Sequence, residues 1–142
     1  MMEKPRVLIL CTKNSARSQM AEALLKKYAG NRFEVHSAGF DPTEIHPLTR
    51  EVMREVGLDL KDQRAKSIKE YLGKVIFTYL ITVCEKAEKD CPIAFPGVQL
   101  RMYWPFEDPV GVNGSDTQKL QKFREIRDKI EQRIQLWLRE VE

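Results

Sequence analysis

No apolar run in these 142 residues approaches the roughly 20 that a bilayer-spanning helix needs. Met1-Met2-Glu3-Lys4-Pro5 is followed by no apolar signal region. The expected compartment is therefore cytoplasmic, with no membrane partner. Excess charge is also scarce. A net charge of +3, spread along the chain instead of gathered in a basic block, gives no electrostatic footprint for nucleic acid. Cysteine is rare and odd in number: Cys11, Cys84 and Cys91. Without a secretion signal that count argues against a disulfide framework, and no Cys-x-x-Cys or His-rich spacing suggests a metal site. The two histidines, His36 and His46, stand alone and read as packing or surface residues. There are no repeats and no low-complexity linker, so the chain reads as one domain over 1–142.

What is present is an alternation of periods. Residues 7–10 and 75–83 are near-continuous apolar runs, as expected of parallel strands covered on both faces, with 33–38 and 99–103 as shorter strand candidates. Between them, Met20, Ala21, Leu24, Leu25 and Tyr28 recur on one helical face, and Leu48, Val52, Met53 and Val56 repeat the pattern. Ser115-Asp116-Thr117-Gln118 opens a last helix with a capping box. Its apolar stripe runs through Leu120, Phe123, Ile126, Ile130, Ile134, Trp137, Leu138 and Val141. This order implies an α/β fold: a mostly parallel sheet flanked by helices, joined by right-handed crossovers. Sites in such sheets lie at the carboxyl ends of the strands, so Cys11 and Cys84 are expected on the same edge.

Cys11 heads the segment Cys11-Thr12-Lys13-Asn14-Ser15-Ala16-Arg17-Ser18, after a strand and before a helix. Such a loop aims backbone N–H groups and the positive helix end at its centre, where a tetrahedral oxyanion fits. The same field is expected to favour a thiolate at Cys11, and Arg17 can grip two oxygens of the anion. Cys84 and Cys91 bracket six residues that are mostly helix formers, with Pro92 as the stop. Seven helical positions span about 10.5 Å, beyond the roughly 7 Å limit for Cα atoms in a disulfide. Two thiols near an active cysteine, unable to bond unless a helix unwinds, suggest a mobile redox relay, with Cys84 near the loop and Cys91 farther out.

These residues, with Trp104-Pro105-Phe106-Glu107-Asp108-Pro109, closely resemble the thioredoxin-coupled arsenate reductases, which are built on the low-molecular-weight tyrosine phosphatase fold. The resemblance spans nearly the whole chain, including Ser18-Gln19-Met20-Ala21-Glu22-Ala23, His36-Ser37-Ala38-Gly39 and Gly57-Leu58-Asp59-Leu60. It implies a single three-layer domain with a central four-stranded parallel sheet. It further implies Cys11 as nucleophile on arsenate, Thr12, Lys13, Asn14, Ser15, Ala16 and Arg17 as the oxyanion loop, and Ser18 as the hydroxyl supporting the thiolate. Asn14 is similar to the asparagine that holds the loop's shape. Asp108 resembles the general acid that protonates a leaving hydroxide. Cys84 looks like the second thiol, which attacks Cys11 and releases arsenite, and Cys91 like the third, which offers the disulfide to thioredoxin. No cofactor is implied.

Lys13 stands where the family usually has glycine, so the loop either tolerates a side chain there or holds it at positive φ under strain. Ala16 stands where many relatives carry another cysteine, which leaves three thiols. The alternative activity is phosphomonoester hydrolysis through a Cys11 phosphoenzyme with Asp108 protonating the leaving group. Against it, Asp108-Pro109 is followed by Val110-Gly111 and not by the aromatic pair of similar phosphatases. A silent oxyanion-binding or thiol-sensing module is disfavoured by the joint presence of Cys11, Arg17, Ser18 and Asp108. Trp104 and Phe106 read as core or cleft wall.

Overall fold

A computed structural model describes residues 4–91 and 98–141 of the chain. Its elements run β1 (Arg6–Cys11), α1 (Arg17–Ala29), β2 (Glu34–Gly39), α2 (Pro47–Arg54), a 3₁₀ turn at Ile68–Glu70, β3 (Tyr79–Thr82), α3 (Glu85–Asp90), β4 (Leu100–Tyr103) and α4 (Asp116–Glu140). All four strands are parallel, in the order β2-β1-β3-β4. Consecutive side chains on a strand face opposite ways, yet Val7, Leu8, Ile9 and Leu10 are all at most 1% exposed, so both faces of β1 are covered. That burial makes the architecture three-layered. α1 and α4 pack on each other, α2 packs on α4, and α3 packs against β1 and β3.

The capping box at Ser115 forms as expected, its hydroxyl accepting from Gln118 N–H while Gln118 reaches back to the Ser115 N–H. Phe123, Ile126, Ile130, Ile134 and Trp137 are buried along α4. Trp137 closes the core between Phe33, Tyr79 and Trp104, with ring centroids 5.3–5.8 Å away. Trp104 is thus core and Phe106 partly buried against it.

One strand and one helix boundary differ from expectation. The apolar run 75–83 yields a strand only at Tyr79–Thr82. Its parallel partner β1 begins at Arg6, and Thr78 N–H already bonds the Arg6 carbonyl. Val75 is instead held in a turn by its bond to the Tyr71 carbonyl, and Ile76 is 64% exposed. In the second helix, Val56 lies beyond the last turn, and His46 is its N-cap, with Nδ1 accepting from Leu48 N–H at 3.1 Å. His36 packs among Tyr71 and Phe77 beside Glu34. The stop expected at Pro92 lies outside the described residues. No described helix is long and apolar enough to cross a membrane.

Candidate functional site

At the carboxyl edge of the sheet, β1 ends at Cys11 and the chain turns through residues 12–16 into α1. The loop's carbonyls are all tied outward: Thr12 to Asp41 N–H, Lys13 to Thr43 N–H, Asn14 to the Gln19 carboxamide, Ser15 to His46 N–H and the Thr49 hydroxyl, Ala16 to Met20 N–H. Carbonyls facing out turn the intervening N–H groups in. The N-cap of α1, Ala16, has no side-chain cap, and the first turn carries no acidic residue. The helix end is thereby left open for an anion.

The turn is made at Asn14, the sole non-glycine at positive φ among the described residues (φ 53°). Lys13 needs no such strain, and its exposed side chain lines the cleft. Asparagine tolerates this conformation when its side chain is locally bonded. Here all four hydrogen bonds of its carboxamide are made: Nδ2 donates to Ser18 Oγ at 2.7 Å and Ser37 Oγ at 2.9 Å, and Oδ1 accepts from Gln19 Nε2 and Lys66 N–H, each at 2.9 Å. Ser18, accepting from Asn14, keeps its own proton to give. Ser37 donates to Glu22 Oε1 at 2.5 Å, and that buried carboxylate faces Lys66 Nζ at 3.5 Å and Lys26 Nζ at 2.5 Å. Burial holds the Lys66 ammonium below its usual range, with Glu22 opposing that shift. Gln63 Nε2 donates to the Gln19 carboxamide oxygen at 2.8 Å, and the supporting roles of Gln19, Glu22, Ser37, Gln63 and Lys66 are not read from the sequence. Gly39, where β2 meets the loop, leaves no room for a side chain: a Cβ there would lie 2.5 Å from the Thr12 carbonyl oxygen.

A cleft of ≈ 580 Å³ opens above the loop, lined by Cys11, Thr12, Lys13, Arg17, Cys84 and Asp108 among others. Arg17 donates to the Phe106 carbonyl at 3.0 Å, and its Nη2 lies 3.7 Å from Asp108 Oδ2. Asp108 is half exposed and also makes a turn, its Oδ1 accepting from Val110 N–H at 2.9 Å.

Two of the three thiols meet in this cleft and the third lies at the far end of α3. Cys84, at the end of β3 and the N-cap of α3, lies with Cys11 in the same cleft, and the two behave as one proton-sharing pair. Interaction with Cys11, the Thr12 hydroxyl at 3.4 Å, the Ala87 N–H at 3.4 Å and the Arg17 charge pull Cys84 down to about 5 against its burial. Cys11 is pushed well above the usual thiol range by Cys84 and by burial, with Arg17 opposing. The two sulfurs draw on the same field of the loop and Arg17, so the negative charge there belongs to the pair and not to either sulfur alone. Cys91, at the far end of α3, is not among the residues lining the cleft and is 4% exposed. No cluster of three or more His, Cys, Asp or Glu arranged for a metal occurs among the described residues.

Against known proteins, residues 6–142 match the family model described as low molecular weight phosphotyrosine protein phosphatase. An arsenate reductase of Halalkalibacterium halodurans is 40% identical over 94% of both chains. A solved arsenate reductase in a phosphate-binding state superposes with a TM-score of 0.79 at 26% identity, covering 97% of this chain and 99% of that one. A thioredoxin-dependent arsenate reductase of Corynebacterium glutamicum is 34% identical with a TM-score of 0.62, over 94% of this chain and 63% of its own.

Proposed function

The chain belongs to the low molecular weight phosphotyrosine protein phosphatase family, and from that premise we propose that it reduces arsenate to arsenite, with thioredoxin as reductant and no metal or prosthetic group. The observation that carries this reading is the position of Cys84: a low-pKa thiol beside Cys11 at the mouth of an oxyanion loop, with a third thiol at the other end of the same short helix. A phosphatase needs the first of these sulfurs alone.

Arsenate enters the loop against the inward N–H groups and Arg17. Cys11 must surrender its proton to attack arsenic, and Cys84 is the group placed to receive it. Asp108 protonates the departing hydroxide as water. Cys84, deprotonated again, attacks Cys11 Sγ. The sulfur–sulfur bond forms and the electron pair of the breaking sulfur–arsenic bond stays on arsenic, which leaves as arsenite. Cys91 then attacks Cys84, Cys11 departs as thiolate, and thioredoxin reduces the Cys84–Cys91 disulfide. The first event also loosens α3: once Cys84 is bonded to Cys11 it is no longer an anionic N-cap, and a lost cap typically costs about 0.5–2 kcal/mol.

The same loop, with Asp108 3.7 Å from Arg17, supports slow aryl-phosphate hydrolysis as a side activity. Cys11→Ser is expected to abolish both activities, since an alcohol is not ionised by this field. Asp108→Asn is expected to slow both by roughly 10²–10⁴-fold. Full arsenate reduction by Cys11→Ser, in the coupled assay with thioredoxin, would remove Cys11 from the nucleophile role.

A further inference from the structure

Behind the cleft, the oxyanion loop is held by the first turn of α2. The Ser15 carbonyl accepts from His46 N–H at 3.0 Å and from the Thr49 hydroxyl at 3.0 Å, so both groups that hold it stand on one helix end. In a planar trans peptide the carbonyl and the next N–H point opposite ways. Fixing the Ser15 carbonyl outward therefore fixes the Ala16 N–H inward, towards the space lined by Cys11 and Arg17. That N–H is one of the donors offered to an oxyanion, and its direction is set from α2.

The start of α2 is itself held by the His46 ring. Nδ1 accepts from Leu48 N–H at 3.1 Å as the N-cap bond, and the ring lies against Phe123 of α4 with centroids 5.0 Å apart. Phe123 is buried, so the ring has a fixed wall on that side. A ring nitrogen that accepts carries no proton, so the imidazole here is neutral with its proton on Nε2. In the imidazolium both nitrogens donate. Protonation then sets an Nδ1 proton against the Leu48 N–H, and the cap bond is lost. Burial holds the ring below the usual histidine range; of the charges that face it, Asp108 from the segment after β4 favours the imidazolium and Lys119 of α4 opposes it.

We propose that His46 is a positioning residue for oxyanion capture: its neutral ring caps α2, the capped end of α2 holds the Ser15 carbonyl, and the held carbonyl aims the Ala16 N–H at the anion. This deepens the reading of the loop as an oxyanion site and rests on it. A proton on the ring undoes the cap and loosens that donor without touching Cys11 or Arg17. Asparagine is the informative replacement, because its side-chain oxygen caps a helix and takes up no proton in the range where histidine titrates.

Inorganic sulfate is the probe, being tetrahedral and of constant charge where phosphate, with a second pKa of about 6, is not. Its dissociation constant is measured from backbone amide shifts of the reduced full chain at about pH 8 and about pH 5, the range in which histidine titrates. The thiol pair titrates there too, but it does so equally in the unmodified protein, His46→Asn and His46→Ala. At the alkaline end His46→Ala should bind sulfate roughly three- to tenfold more weakly than the unmodified protein, and His46→Asn should restore most of that affinity. At the acid end His46→Asn should bind more tightly than the unmodified protein by roughly two- to fivefold, and the Ala16 amide should follow the imidazole midpoint only where the histidine is present. Equal pH profiles in the unmodified protein and His46→Asn would show that the histidine is a packing residue only. So would undiminished sulfate affinity in His46→Ala at the alkaline end, even with a lowered Tm. If His46→Ala does not fold, the comparison with His46→Asn decides by itself. No sulfate binding by the unmodified protein would overturn the reading of the loop as an oxyanion site, and this proposal with it.

Discussion

Asn14 shows how one residue can carry the geometry of a site. The left-handed turn could fall on Lys13, judged by where the family has glycine. It falls on Asn14 because only the carboxamide can satisfy Ser18, Ser37, Gln19 and the Lys66 N–H at once. That choice was hidden in the sequence, since the four partners come from three separate stretches of chain. Cys11 and Arg17 were legible, being set by a strand, a loop and a helix in immediate succession. The charge state of Cys11 was not, because it depends on a sulfur more than seventy residues away. Cys84 offers a direct check. Its folded pKa of about 5 lies below the ordinary thiol value of 9.0, so its contribution to stability is complete above pH 9 and is lost as pH falls towards 5. Cys11, shifted the other way, contributes fully below pH 9 and loses that contribution only above it. Of the two thiols, only Cys84 contributes a slope between pH 5 and 8, and the difference from Cys84→Ser isolates it from other groups such as His46. Under reducing conditions, the Tm of the unmodified protein minus that of Cys84→Ser should rise across this range, by roughly 2–4 °C for each 1 kcal/mol of linkage. A flat difference would mean that Cys84 is an ordinary thiol.

Among the elements, α3 is the one built to be remade. Its six residues are too few to be stable alone, so it depends on its caps: the Cys84 sulfur at one end and Arg101 at the other. Helix formers between two cysteines made the helix itself readable, whereas the burial of Cys91 was not, because it follows from packing against the sheet. The shortened β3 has a similar cause: hydropathy does not report how far a run pairs, and Val75 is held in a turn by the Tyr71 carbonyl. If the relay operates, amide exchange over residues 82–91 should be slow in the reduced protein and fast once the Cys84–Cys91 disulfide has formed. Breaking the few backbone bonds of this segment costs on the order of 1 kcal/mol each, well within what thiol exchange supplies. Equal, strong protection in both redox states would rule out unwinding.

At the scale of the whole molecule, the parallel sheet was legible because its central strands are apolar on both faces and its helices carry clean stripes. The strand order then gathers Cys11, Arg17, Cys84 and Asp108 into one cleft from segments that the sequence separates. What the alternation could not reveal is the buried polar shell under the loop, where Glu22 and Lys66 meet only after folding. The fold by itself serves hydrolysis and reduction alike, so the distinction rests on the two later thiols. It is tested most directly by measuring arsenate-dependent NADPH oxidation, with thioredoxin and its reductase, beside aryl-phosphate hydrolysis in Cys84→Ser and Cys91→Ser. Each variant should lose multiple-turnover arsenate reduction while keeping aryl-phosphate hydrolysis within a small factor of the unmodified protein. Sustained arsenate turnover without either thiol, or equal loss of both activities, would contradict the three-cysteine relay.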